Sequence, residues 1–242
     1  MTDTVTLNLR TIHNRIQTAC KRAGRNSDEV RLLLATKTVD SERIKYALQQ
    51  GETLVGENKV QELEQKCQVI AECTPEVHFI GHLQTNKVKN VIKWASCIES
   101  IDRLKLAKKL NERLFSDNKT IDAYIQVNTS YEESKFGVSP EKALELIKQV
   151  SQLETINIKG LMTIGLFSSE PEKVRKCFRL LKTIQTEVMS LNLSRVSLKE
   201  LSMGMSGDLE IAIEEGATIV RVGTAIFGAR IYPDSYYWDE TK

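Results

Sequence analysis

The chain is expected to fold as a single (β/α)8 TIM barrel with an extra N-terminal helix. Three observations predict it. Eight short apolar runs are each followed by a polar loop and an amphipathic helical stretch. No Gly-x-Gly-x-x-Gly follows the first run, so the doubly wound open sheet, the competing architecture, lacks its dinucleotide fingerprint. No Pro- or Ser-rich linker breaks the alternation, and residues 1–242 read as one domain.

Taken in order, Val5, Leu9, Ile12, Ile16, Ala19 and Ala23 recur every three or four positions, the stripe of an amphipathic helix that Gly24 stops. Val30–Ala35 reads as the first strand and Glu42–Gln50 as a helix ended by Gly51. Thr53–Val55 is the second strand, leading into a helix from Lys59 to Ala71. Glu76–Ile80 is the third, followed by a helix over Thr85–Trp94. Cys97–Glu99 is the fourth, with Asp102 placed to cap a helix carrying Leu106, Leu110 and Leu114. Ile121–Val127, the fifth, sets Ile121, Ala123, Ile125 and Val127 against polar neighbours. In Ser139-Pro140-Glu141, Ser can cap free amides and Pro at the first helical position loses no hydrogen bond. Ile156–Met162 is the sixth strand, and Pro171 opens a helix with Val174, Phe178, Leu181 and Ile184 inward. Leu198–Ser202 and Ile219–Val222 are the seventh and eighth, separated by a helix over Asp208–Glu215 that ends at Gly216.

Composition narrows the function classes. With 41% hydrophobic and 27% charged residues, the disordered and collagen-like readings fail. The 34 basic and 32 acidic residues leave a net charge of +2, unlike a dedicated nucleic-acid binder. No apolar run nears the roughly 18 residues that span a bilayer, so no membrane partner is expected. Met1–Thr6 shows neither the basic nor the apolar part of a secretory signal. Five cysteines without a Cys-x-x-Cys pair suit free thiols, and a cytoplasmic location is expected. His78 and His82 would share a metal only on a helix, and Phe79-Ile80-Gly81 between them reads as strand, so no metal is expected. Tyr232, Tyr236, Tyr237 and Trp238 read either as a tail packed over the barrel or as a docking surface.

Barrel enzymes place chemistry at the C-terminal ends of their strands. There the first strand ends in Ala35-Thr36-Lys37, which sets an ammonium at the rim of a packed interior. The lysine either snorkels to solvent or, with its pKa lowered by partial burial, attacks an aldehyde to form a Schiff base. Ser202-Met203-Gly204-Met205-Ser206-Gly207-Asp208 and Arg221-Val222-Gly223-Thr224 follow strands seven and eight. Small residues there serve tight turns or expose the amides of a phosphate site. A phosphate site beside a Schiff-base lysine points to pyridoxal phosphate.

The chain resembles the pyridoxal phosphate homeostasis proteins. Ala35-Thr36-Lys37, Gly56-Glu57-Asn58, His78-Phe79-Ile80-Gly81-His82-Leu83-Gln84, Ser134-Lys135-Phe136-Gly137 and Gly160-Leu161-Met162-Thr163 carry the resemblance, with Ser202–Ser206 and Val220–Arg230. It runs from about residue 10 to 231. The resemblance implies the fold-type III barrel shared with the N-terminal half of alanine racemase. It implies that Lys37 carries pyridoxal 5'-phosphate as a Schiff base, that Ser206, Gly223 and Thr224 hold the phosphate, and that Arg221 faces the pyridine nitrogen. Asn58 would line the ring side, with His82, Ser202 and Met205 carried over on strand-end position. Gly207 stands where an acidic residue is expected.

Three functions compete: a carrier that buffers and delivers the cofactor, an amino-acid racemase, and an interaction module with the cofactor as ligand. A racemase needs acid–base groups on both faces of the substrate carbon. Its relatives bring one from a second, β-rich domain, for which 242 residues leave no length. A guanidinium beside the pyridine nitrogen also disfavours a second positive charge there. The expected function is therefore non-enzymatic: cofactor homeostasis, with pyridoxal-phosphate-dependent apo-enzymes as recipients, as a monomer or weak dimer.

Overall fold

A computed structural model describes residues 2–228; the aromatic tail and its expected packing lie outside them. Helix α1 (Thr2–Arg22) comes first. The barrel then alternates β1 (Arg31–Ala35), α2 (Ser41–Gln49), β2 (Leu54–Glu57), α3 (Val60–Ile70), β3 (Glu76–Phe79), α4 (Val88–Val91), β4 (Cys97–Ile101) and α5 (Leu104–Ser116). It continues with β5 (Ile121–Gln126), α6 (Pro140–Val150), β6 (Ile156–Met162), α7 (Pro171–Met189), β7 (Val196–Ser202), α8 (Leu209–Glu214), β8 (Ile219–Val222) and a last turn of helix, α9 (Thr224–Phe227). The strands pair in sequence order, all parallel, and β8 closes on β1 with Leu33 opposite Arg221 and Leu34 opposite Val222.

Parallel strands buried on both faces need apolar residues on both, and this is why the runs read as near-continuous. One set, including Leu34, Phe79, Ile98, Ile125, Leu161 and Val220, packs against the helices. The alternate set points into the barrel, where Leu33, Leu54, Cys97, Tyr124, Met162 and Ile219 form a second cluster. Each large side chain so buried contributes about 1.5–3 kcal/mol. His78, Glu99, Ser202 and Arg221 lie among these strands with at most 5% of their surface exposed.

Helix α1 lies against α8 and α9. Its stripe of Val5, Leu9, Ile12, Ile16 and Ala19 is buried, and its Asn8 and Arg15 reach α9, α8 and the loop after β7. Arg25, just after it, donates 2.8 Å hydrogen bonds to the carbonyls of Ile213 and Ala217 at the end of α8. No helix among the described residues is long and apolar enough to cross a membrane.

All eight expected strands form, with three local corrections. The helix expected over Thr85–Trp94 is a 3-10 turn, Thr85–Lys87, followed by a single helical turn, because the chain must double back to enter β4 at Cys97. Asp102 caps nothing: Arg103 is the N-cap of α5 and draws the Asp102 carboxylate to its own guanidinium at 2.6 Å. Ser139 sits at the N-cap of α6 without a side-chain capping bond, which leaves Pro140 at the first position as the start signal.

The ends of β2 and β3 touch at a glycine. A Cβ added to Gly81 would lie 2.0 Å from the Asn58 carbonyl oxygen, so the two backbones approach more closely than any side chain allows. Gly207 has open space around it. Gly81→Ala is expected to cost about 1–3 kcal/mol in urea unfolding, whereas Gly207→Ala stays within about 0.5 kcal/mol of the parent. Equal behaviour of the two variants would refute the close approach.

Candidate functional site

The C-terminal rim brings the sequence-selected residues together. Lys37 is half-buried in the turn that leaves β1, closed by the 2.9 Å bond from the Val39 amide to the Thr36 carbonyl. Thr38 takes a φ of +64° to make that turn. Behind it stands a buried ion-pair network that the sequence reading did not single out. Lys66 of α3 donates to the Thr36 carbonyl (2.7 Å) and to Glu57 (2.7 Å), and also to Glu62. The Thr36 hydroxyl donates to Glu57 (3.0 Å) and the Thr38 amide to Glu62 (2.8 Å). Residues on both sides of Lys37 are thus fastened by side chains from β2 and α3. Burial pushes the Glu57 carboxyl up, and the Lys66 ammonium works against that rise.

Gly223, at the end of β8, packs on the same turn: a Cβ there would sit 2.7 Å from the Ala35 carbonyl oxygen. This contact places the loops after β7 and β8 beside Lys37. The Ser206 hydroxyl lies 3.4 Å from the Thr224 hydroxyl and 3.4 Å from the Ala225 amide. Asp208, the N-cap of α8, accepts a 2.6 Å bond from the Met205 amide and so folds the intervening loop. Helix α1 braces it from outside: Arg15 donates to the Ser206 carbonyl (2.9 Å) and to Glu210 (2.6 Å), and Asn8 donates to the Ile226 carbonyl (2.9 Å).

On the opposite side Asn58 holds its backbone amide to Glu57 (2.8 Å), while its buried side-chain oxygen has no hydrogen-bond partner. A buried acceptor left open costs free energy that a ligand donor would recover. His82 stacks on Phe136 with ring centroids 3.9 Å apart, and its Nδ1 stands 3.5 Å from Asp102. Ser202 and Arg221 meet directly. Arg221 donates to the Ser202 hydroxyl (2.9 Å) and the Thr163 carbonyl (2.7 Å), and Ser202 donates to Glu99 (2.6 Å). The Ser202 hydroxyl, having one proton, is thereby fully spoken for. Burial lowers the Arg221 guanidinium from its ordinary value, and Glu99 and Asp208 pull it back.

Two hydroxyls beside a rim lysine, with the open acceptor of Asn58 on the neighbouring strand end, fit a phosphorylated aldehyde. A barrel carrying that rim belongs to the class of alanine racemase N-terminal domains, and the profile of "Alanine racemase, N-terminal domain" matches residues 7–231. A "Pyridoxal phosphate homeostasis protein" of Aquifex aeolicus is 45% identical over 90% of this chain and 95% of its own length. The chain belongs to the pyridoxal phosphate homeostasis protein family. Among solved structures, an unknown protein from Bifidobacterium adolescentis superposes with a TM-score of 0.91 at 36% identity, covering 93% of this chain and 95% of that one. PipY of Synechococcus elongatus PCC7942, solved with PLP bound, gives a TM-score of 0.77 at 29% identity, covering 90% of this chain and 100% of that one.

His78 supplies a pH dependence. Its ring nitrogens face Glu99 (2.6 Å) and Glu76 (2.8 Å). Burial opposes the charged ring, but the hydrogen bonds to Glu76 and Glu99 outweigh it and raise His78 to about 9. A folded-state value above the unfolded one of about 6.5 contributes stability that is complete below that value and lost as pH rises through the folded one. Unfolding free energy is expected to fall by roughly 2–3 kcal/mol between about pH 7 and about pH 10. His78→Gln should flatten that slope while lowering the plateau. A parent slope equal to the variant's would show that His78 is neutral.

Proposed function

We propose that this chain is a carrier of pyridoxal 5'-phosphate, a single barrel domain that holds the cofactor on Lys37 and passes it to pyridoxal-phosphate-dependent apo-enzymes in the cytoplasm. One observation carries the reading: adjacent strands β1 and β8 set the Lys37 turn against the loops bearing Ser206 and Thr224. The names of the relatives and the PLP in PipY support it. Ser206, Gly223 and Thr224 would take the phosphate through hydroxyls and amides, Asn58 would offer its open oxygen, and Arg221 would meet the ring nitrogen. Met205 shapes the phosphate loop, and His82 bounds the rim beside Phe136. Ser202 serves by holding Arg221. Lys37 would hold the cofactor through its amine, and the bound group would supply an aldehyde able to form a reversible Schiff base there. Arg221, cationic and buried, disfavours a second positive charge on the ring and so weakens its capacity to stabilise a carbanion.

Borohydride reduction of the protein with its cofactor is expected to leave one phosphopyridoxyl group, found by mass spectrometry on the peptide containing Lys37. Lys37→Ala should lose it without unfolding. A label centred on Lys135 would sink the assignment.

Hydrogen bonds to phosphate are charge-assisted and worth about 1.5–3 kcal/mol each. Ser206→Ala and Thr224→Ala are therefore each expected to weaken pyridoxal phosphate binding by about tenfold or more, and to leave pyridoxal binding nearly unchanged. Equal losses for both ligands would assign these hydroxyls to the fold.

A carrier without racemase chemistry should exchange the α-proton of L- or D-alanine in deuterated water no faster than free cofactor does. Rapid exchange abolished by Lys37→Ala would make the chain an enzyme.

A further inference from the structure

Side chains hydrogen-bonded end to end cross the barrel interior, from the rim to the opposite mouth. Arg221 donates to Ser202 and Ser202 to Glu99. Glu99 faces Nδ1 of His78, and Nε2 of His78 faces Glu76. Glu76 pairs with Arg31, and these last two are the partly exposed end. The four members from His78 to Arg221 are buried.

Donor and acceptor bookkeeping orders the chain from Arg221 inward. Arginine can only donate, so Ser202 accepts from Arg221 and has its single proton left for Glu99. Glu99 must therefore accept at one oxygen. An ionised carboxylate is acceptor-only, so with both carboxylates ionised the two ring nitrogens of His78 both donate. The chain then alternates in charge: Arg221 plus, Glu99 minus, His78 plus, Glu76 minus, Arg31 plus. Other groups around the ring are Cys97 on β4 and Tyr124 on β5, whose ring meets His78 edge-on at 5.9 Å. Asp122 and Glu200 act at longer range on Cys97 and Tyr124.

We propose that Glu99 and His78 are positioning residues for the ring of the bound cofactor, acting through the Ser202 hydroxyl to fix Arg221 and set the charge the ring nitrogen meets. The proposal rests on the reading that pyridoxal phosphate binds with its ring toward Arg221. Linkage is reciprocal, so a ligand that alters the demand on Arg221 must alter the titration of His78.

The test follows the ring nitrogens of His78 by NMR in the full-length protein, with and without pyridoxal phosphate, across pH. Borohydride labelling of Lys37 is scored on the same samples. The doubly protonated ring should persist above neutral pH, and cofactor should move its titration upward by about one pH unit. Ser202→Ala, which cuts the chain at one atom, should abolish the shift, and Ser202→Thr, which keeps the hydroxyl, should restore it. A labelled Lys37 with an unmoved His78 in the parent protein overturns the proposal and leaves the carrier reading intact. An equal shift in Ser202→Ala also overturns it, because the coupling would then bypass the hydroxyl. No label on Lys37 overturns the cofactor reading and the proposal together. The parent titration decides the matter even where a variant fails to fold.

Discussion

A closed ring of eight parallel strands has an interior without solvent, and each side chain aimed into it must be apolar or fully partnered. Most of this protein's structure follows from how that constraint is met. Leu33, Leu54, Tyr124, Met162 and Ile219 fill part of the interior. Through it runs a line of polar and charged side chains from Arg31 to Arg221, whose buried members depend on one another because removing one strands its neighbours in a low-dielectric space. The ionic filling gives up some of the adhesion that an apolar core would provide. In return it delivers a buried guanidinium to the rim in a defined orientation.

A second closed network supports the lysine. Glu57 and Lys66 are buried together, and their partners are the backbone and hydroxyl of Thr36. The residue before Lys37 is thus held from behind by buried groups of β2 and α3. With Glu62 gripping Thr38, the backbone is fixed on both sides of Lys37. Rigid backbone around a long side chain suits a residue that must meet a carbonyl at a set distance.

The strands and the rim were legible in the sequence because period and punctuation are local signals: apolar runs ending in Lys37, in Ser202–Asp208 and in Arg221–Thr224 name their own positions. The interior chain was not. His78, Glu99 and Arg31 occupy alternate positions on separate strands, and only barrel closure makes them neighbours. His78 drew attention by its spacing from His82, yet the structure sends the one into the barrel and the other to stack on Phe136 at the rim. Glu99 lies in a run read as apolar, although its in-strand charge was a visible sign of a buried partner. Asp102 and Ser139 looked like helix caps, but a nearer guanidinium claimed the first, and Pro140 starts its helix without help from the second.

The pairing of β1 with β8 has a consequence in time. Lys37 follows β1 and Thr224 follows β8, and in α1 the side chains of Asn8 and Arg15 find their partners only once α8 and α9 are in place. In the proposed carrier, a nascent chain emerging from the ribosome therefore holds Lys37 long before the loops after β7 and β8 exist. On that proposal, capture of a ligand has to await β8, and a product truncated before it, however well its early strands pair, would lack Gly223 and Thr224 to retain one.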